Sequence, residues 1–167
     1  MGLFDKFKKN AGPELTFPLT LEATAEGEAV EMENIPDAVF SGGALGPCRG
    51  IKPSKGVVYA PVDGTVSNLA DTLHAVGIET ALGVEILIHV GVDTVSMNGK
   101  GFKACVKNGQ KIKKGQKLLE VDLAQVAAAG YSDVVITAVV NGDEFAAVEP
   151  TAETKMALGT GMMVVKN

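Results

Sequence analysis

Apolar positions in this chain recur in short alternating runs broken by turn residues. That is the pattern of strands, not of long amphipathic helices. Val57-Val58-Tyr59-Ala60-Pro61 reads as a strand, and Val62-Asp63-Gly64-Thr65-Val66 as a tight turn returning into another. Asn98-Gly99, Asn108-Gly109 and Asn141-Gly142 supply turn dipeptides. Lys111 to Asp122 predicts two short strands around Gly115, Asp133 to Val140 a β-branched strand, and Met162 to Val165 a closing one. Weaker strand patterns cover 17–30 and 30–35, and Pro36-Asp37 opens a turn or short helix toward Val39-Phe40. Asp122 to Ala129 predicts a helix, capped by Asp122, with Leu123, Val126 and Ala127 on its apolar side. The expected fold is all-β: an antiparallel β-sandwich or barrel with a few short helices. Residues 1–16 read as a flexible N-terminal tail and 17–167 as a single β domain.

Two of the runs hold the only histidines, Leu73 to Glu79 with His74 and Val84 to Val90 with His89. Thr80-Ala81-Leu82-Gly83 between them suits a hairpin turn. A loop centred between Ala81 and Leu82 sets residues whose numbers add to 163 opposite each other, His74 and His89 among them. Cβ atoms so opposed stand roughly 5 Å apart. A bulge at Gly83 shifts that register by one residue. In the unshifted register Val76, Ile78 and Leu87 share the histidine face. They would form a flat apolar surface fit for docking, although the same residues suit an ordinary core.

Three chemistries are open to such a pair. The rings can be a hydrogen-bonded structural couple, part of a metal shell, or a nucleophile with its helper in group transfer. Thr72 lies two residues before His74, within reach of an imidazole nitrogen. The Gly91 carbonyl can hold Nδ1–H of His89 and leave Nε2 as the reactive lone pair. Neither cysteine stands at the spacing of a closed zinc site, so Zn²⁺ on His74 and His89 needs a further ligand from a partner.

Composition narrows the setting. Of the 167 residues, 46% are hydrophobic and 21% charged, as in a globular domain. The net charge of −5 argues against nucleic acid as a partner and favours basic proteins. Cys48 and Cys105 read as free thiols in a reducing compartment. Charged residues interrupt the N-terminus where a signal peptide would be apolar, and no stretch is long and apolar enough to span a bilayer, so the expected location is cytoplasmic. Met1 to Lys9 can form a short helix with Leu3, Phe4 and Phe7 on one side and lysines elsewhere, which predicts transient contact with the inner face of an anionic membrane. No P-loop, dinucleotide fingerprint or nucleophile elbow occurs, so a phosphoryl group would arrive on a partner protein.

Ala60-Pro61-Val62-Asp63-Gly64-Thr65, Thr72 with His74-Ala75, Gly83-Val84-Glu85 and His89-Val90-Gly91-Val92-Asp93-Thr94-Val95 together resemble one family. So do Gly101-Phe102, Gly109-Gln110, Val121-Asp122-Leu123, Met1 to Lys6 and Ile51-Lys52-Pro53. The chain resembles the glucose-type EIIA proteins of the bacterial phosphoenolpyruvate-dependent sugar phosphotransferase system, over nearly its full length. The resemblance implies that residues 17–167 form an EIIA-like domain and that His89 accepts a phosphoryl group from phospho-HPr. It implies onward transfer to a cysteine of the EIIB part of an EIIB/EIIC sugar permease. His74 would steady the phosphate, with Thr72 and Gly91 in the same network and with regulatory targets as further partners. No cofactor is required on this reading. Ala70 and Val76 stand where family members often carry aromatic residues, which predicts a smaller docking face, while Phe40 is retained. A regulatory or zinc-binding β-sandwich protein with the same histidine pair is the alternative. Biotinyl and lipoyl carriers share the strand pattern, but Lys155 lies C-terminal to both halves of that pattern and not in a hairpin between them.

Overall fold

A computed structural model describes residues 14–167. Among these residues fourteen strands fall into three sheets. The largest carries the histidines. Its order is β13 (Lys155–Met156), β2 (Gly27–Val30), β3 (Cys48–Pro53), β11 (Val135–Val139), β7 (Glu85–Val90), β6 (Ala75–Glu79), β5 (Gly64–Leu69) and β9 (Lys111–Ile112). A second sheet orders β1 (Leu19–Glu22), β14 (Gly161–Lys166) and β12 (Ala147–Pro150). The third orders β4 (Val57–Tyr59), β10 (Lys117–Val121) and β8 (Phe102–Ala104). All pairings among the described residues are antiparallel; β5–β6 and β6–β7 join consecutive strands, whereas most of the others join strands distant in the chain.

Period-two burial sorts the large sheet into two faces. Val76, Ile78, Ile86, Ile88 and Val90 point into a main core with Leu21, Ile51, Leu118 and Met162. The other face carries Ile136 and Ala138, which pack with Ile35, Phe40 and Cys48 in a smaller cluster beside Leu87 and Val92. Central strand β11 is buried along its whole length, so it reads as an unbroken apolar run. Arg49, 1% exposed, ties the sheets together. Its guanidinium donates to Glu31 Oε1 at 2.7 and 3.0 Å, to the Met162 carbonyl at 2.9 Å and to the Glu153 carbonyl at 2.6 Å. A buried cation is tolerable because its donors are paired in this way.

Two short α-helices occur among the described residues. Ala38–Ser41 starts at Asp37, whose carboxylate accepts from Val39 N, and Leu123–Ala128 starts at Asp122, which accepts from Gln125 N. No helix among the described residues is long and apolar enough to cross a membrane. Three expectations change. Residues 32–34 form a 3₁₀ turn, not the end of a strand, because Pro36 follows and a helix cap begins at Asp37. Strands β12 and β13 were not foreseen; Glu149-Pro150 breaks the apolar alternation of one, and the other has only two residues. The first histidine run is strand only from Ala75, since Leu73 takes a left-handed φ of 61°. The tail expectation for residues 1–13 lies outside the described residues. Leu15 packs against the main core.

Candidate functional site

Strand β7 delivers His89 at its C-terminal end, opposite Ile136 of β11 on one side and Ala75 of β6 on the other. The β6–β7 register is therefore one residue from the expected one: His74 faces Val90, whose N–H donates to the His74 carbonyl at 2.7 Å. The cause is Gly83. At φ +78° it is the left-handed residue of a bulged turn, with Gly83 N bonded to Thr80 O and Thr80 N to Val84 O. The shift also corrects the docking surface. Val76 and Ile78 are core residues, 0% and 1% exposed, and of the three residues expected beside the histidines only Leu87 shares the His89 face.

The rings meet nonetheless. Their centroids are 5.0 Å apart with planes at 81°. His74 lies just outside the strand, and the left-handed backbone of Leu73 breaks the alternation that would have sent its ring into the core. Leu73 packs against the main core, and its N–H closes a turn onto the Ala70 carbonyl at 2.8 Å. A leucine in this conformation is uncommon and strained. The sequence carries no sign of it.

Each imidazole has one partner at Nδ1. His89 Nδ1 lies 2.8 Å from the Gly91 carbonyl, which can only accept, so Nδ1 carries the proton and Nε2 the lone pair. His74 Nδ1 lies 2.5 Å from Thr72 Oγ1, a hydroxyl that can donate or accept. Gly91 is held by its surroundings. Its N–H donates to Val134 O at 2.6 Å, and a Cβ there would stand 2.4 Å from Thr94 Cγ2 and 2.6 Å from the Ser132 carbonyl. Thr94 Oγ1 in turn donates to the Val90 carbonyl. Phe40 reaches the site from the Ala38–Ser41 helix, its ring centroid 5.1 Å from that of His89.

Both rings favour the neutral form. Burial lowers the pKa of His89 below the ordinary imidazole value, opposed by its Gly91 bond and by the carboxylates of Asp37 and Asp93. Burial lowers His74 too, and the neighbouring His89 lowers it further. A neutral imidazole with a fixed lone pair can act as a nucleophile, and a neighbouring ring with a proton at Nε2 can donate a hydrogen bond to a group the first ring receives. The structure does not support metal binding by the isolated chain. Among the described residues no group of three or more His, Cys, Asp or Glu side chains gathers to hold a metal, and Cys48 is buried with its thiol on the Phe40 carbonyl. Thr72, His74, His89 and Gly91 are thus brought together. Leu73, Asp37 and Thr94 join them without having been singled out. Asp37 had a readable signal, a cap residue after Pro36, but nothing local places that cap near His89.

The family model for the phosphoenolpyruvate-dependent sugar phosphotransferase system, EIIA 1, matches residues 19–145. The chain belongs to that family. This EIIA chain is 38% identical over 141 residues to a PTS system glucose-specific EIIA component of Bacillus cereus, covering 84% of the chain and 86% of the relative. It is 39% identical over 137 residues to a PTS system beta-glucoside-specific EIIBCA component of Dickeya chrysanthemi, covering 82% of the chain but 22% of that longer protein. Glucose permease IIA from Mycoplasma capricolum superposes with a TM-score of 0.76 at 32% identity, over 87% of this chain and 94% of that one. This EIIA chain is accordingly a glucose-type phosphoryl-carrier component of a sugar uptake system, and the all-β sandwich is the family's fold. The reading as a regulatory or zinc-binding protein alone is not favoured.

Proposed function

We propose that His89 is the phosphoryl carrier, using Nε2, with His74 as its assistant. The carrying observation is the 2.8 Å contact of His89 Nδ1 with the Gly91 carbonyl, which leaves Nε2 as the only lone pair of that ring. Nε2 attacks the phosphorus of a phosphohistidine on HPr as the donor's P–N bond breaks and its electron pair returns to the donor ring. In the second step the thiolate of an EIIB cysteine attacks the same phosphorus, and the P–Nε2 bond breaks toward His89. A loose transition state spreads charge over the phosphoryl oxygens, and His74 donates to one of them. Phe40 and Leu87 limit water at the phosphohistidine. Val39 and Val95, 50% and 49% exposed, adjoin Phe40 and Thr94 in sequence and supply apolar contact for a partner. Asp37 and Asp93 beside His89 suit basic groups on that partner. The names of the relatives point to glucose or a β-glucoside as the sugar, and the EIIBCA relative to an EIIB/EIIC permease as the acceptor. Incubation with phosphoenolpyruvate, Enzyme I and HPr should add one acid-labile phosphoryl group by intact mass, and His89→Ala should add none. Labelling of His89→Ala at the parent rate would refute the assignment.

A further inference from the structure

The charge of this acidic chain is unevenly placed. Residues 99–119 carry seven lysines and no acidic residue, while the rest of the chain has eight basic residues against twenty acidic ones. All seven are exposed. Three of them, Lys100, Lys107 and Lys111, have no ion pair among the described residues, whereas Lys103 and Lys117 share Glu120 and Lys114 meets Glu22.

The same three lie along β5 and its following loop, Lys100 and Lys107 toward the His74 end and Lys111 at the far end. Gly99, next to Lys100, sits beside the Thr72 carbonyl. Asn108, next to Lys107, accepts from Leu69 N at 2.6 Å, and Gly109 N bonds Val66 O. Lys111 pairs with Thr65 on edge strand β9. They therefore follow β5 and the loop that leads from it to Thr72 and His74. Asp71 in that loop and Glu79 opposite Thr65 are the acidic groups nearest in the chain and ladder. Asp37 and Asp93 belong to the His89 side.

We propose that this lysine flank rests on an anionic lipid surface and turns the His89 side away from the bilayer. The inference does not depend on the phosphoryl reading above. Three features select lipid over other polyanions. The basic groups are all lysine, compact point charges without the bidentate fork that reads phosphodiesters or carboxylates. Among the described residues no exposed aromatic ring accompanies them as a stacking platform, Phe102 being buried. They are spread along a strand edge and two turns, which suits a diffuse anionic plane better than a single anion. The acidic groups about His89 are repelled by the same plane, so attraction and repulsion set one orientation.

The test is co-sedimentation of the full chain at low salt with phosphatidylcholine vesicles, with and without phosphatidylglycerol. Three variants accompany it: Lys100→Gln/Lys107→Gln/Lys111→Gln, Lys6→Gln/Lys8→Gln/Lys9→Gln, and the two combined. Each lysine near an anionic surface is worth about fivefold in partitioning, so the first triple variant should bind phosphatidylglycerol vesicles on the order of a hundredfold more weakly. It should keep the parent's thermal midpoint, because the three lysines make no ion pair among the described residues. Neutral vesicles should bind none of the four proteins. A parent that ignores phosphatidylglycerol overturns the proposal. So does loss of binding only in the Lys6/Lys8/Lys9 variant, which would make the N-terminal segment the contact. A flank variant that binds vesicles normally but exchanges phosphate more slowly with a soluble partner assigns the flank to an acidic protein and overturns it equally.

Discussion

The two histidines have the same ring and lie within 5.0 Å of each other, yet their settings differ in kind. His89 is part of a regular strand, opposite Ile136 and Ala75, and its Nδ1 meets a carbonyl. His74 follows a strained leucine outside the strand, and its Nδ1 meets a hydroxyl. A carbonyl accepts only, so it locks one tautomer and one nucleophilic nitrogen. A hydroxyl can reverse its role, so His74 can present either a lone pair or a proton at Nε2 as a phosphoryl group comes and goes. The contrast teaches that partner chemistry at Nδ1, and not proximity of the rings, is what distinguishes the two imidazoles, and it underlies the proposed division into carrier and assistant.

The contrast can be broken from either side. Beyond the complete loss expected of His89→Ala, the largest effect should come from His74→Ala. That variant should still gain the phosphoryl group but pass it on roughly 10²-fold more slowly, the usual cost of one lost donor to a developing oxyanion. Unchanged onward rates in rapid-quench transfer to EIIB would remove the assistant's role.

Gly91→Ala should come next. The added Cβ meets Thr94 and the Ser132 carbonyl in a left-handed backbone, and such positions cost about 1–3 kcal/mol for a residue other than glycine. Stability to urea should fall by that order, and the carbonyl should turn away from His89. The sharper readout is ¹⁵N chemical shifts of the ring, which should show the two tautomers mixed in place of one. A single Nδ1–H tautomer in the variant would mean that Gly91 does not set it.

Thr72→Val should do less. It removes one hydrogen bond worth about 1 kcal/mol, hence a fivefold slowing of onward transfer with acceptance unchanged. Equal slowing of both steps would place Thr72 in general packing.

The smallest effect concerns pH. Both rings have folded-state pKa values below the ordinary imidazole value. The unfolded chain therefore binds protons first as pH falls. The stabilising contribution is complete above the unfolded value of about 6.5 and is lost as pH falls from there through the lower folded values. Urea midpoints should drop more for the parent than for His74→Gln/His89→Gln across that window. Parallel curves would mean that the rings are not held neutral by the fold.

Much of this was written into the chain locally. Alternation at Val84 to Val90 is a period-two pattern, the run at Asp133 to Val140 is short, β-branched and bounded by turn residues, and both strands are present. The Asp122 cap and the partners of Thr72 and Gly91 depend on neighbours two or three residues away, and each contact is present. The all-β class, the two rings in one hairpin and the family resemblance follow from such short-range signals. Other features were decided only by tertiary structure. The backbone angle of Gly83 set the register, and glycine accepts several angles without strain, so residue type could not choose among them. Leu73 adopts a conformation its own preferences oppose, and the core around its side chain accompanies it. Phe40 and Asp37 reach His89 from some fifty residues earlier in the chain, through the Ala38–Ser41 helix on the second face of the sheet. Alternation states that a strand has two faces. Which one becomes core and which becomes a reactive surface is settled by what packs against each.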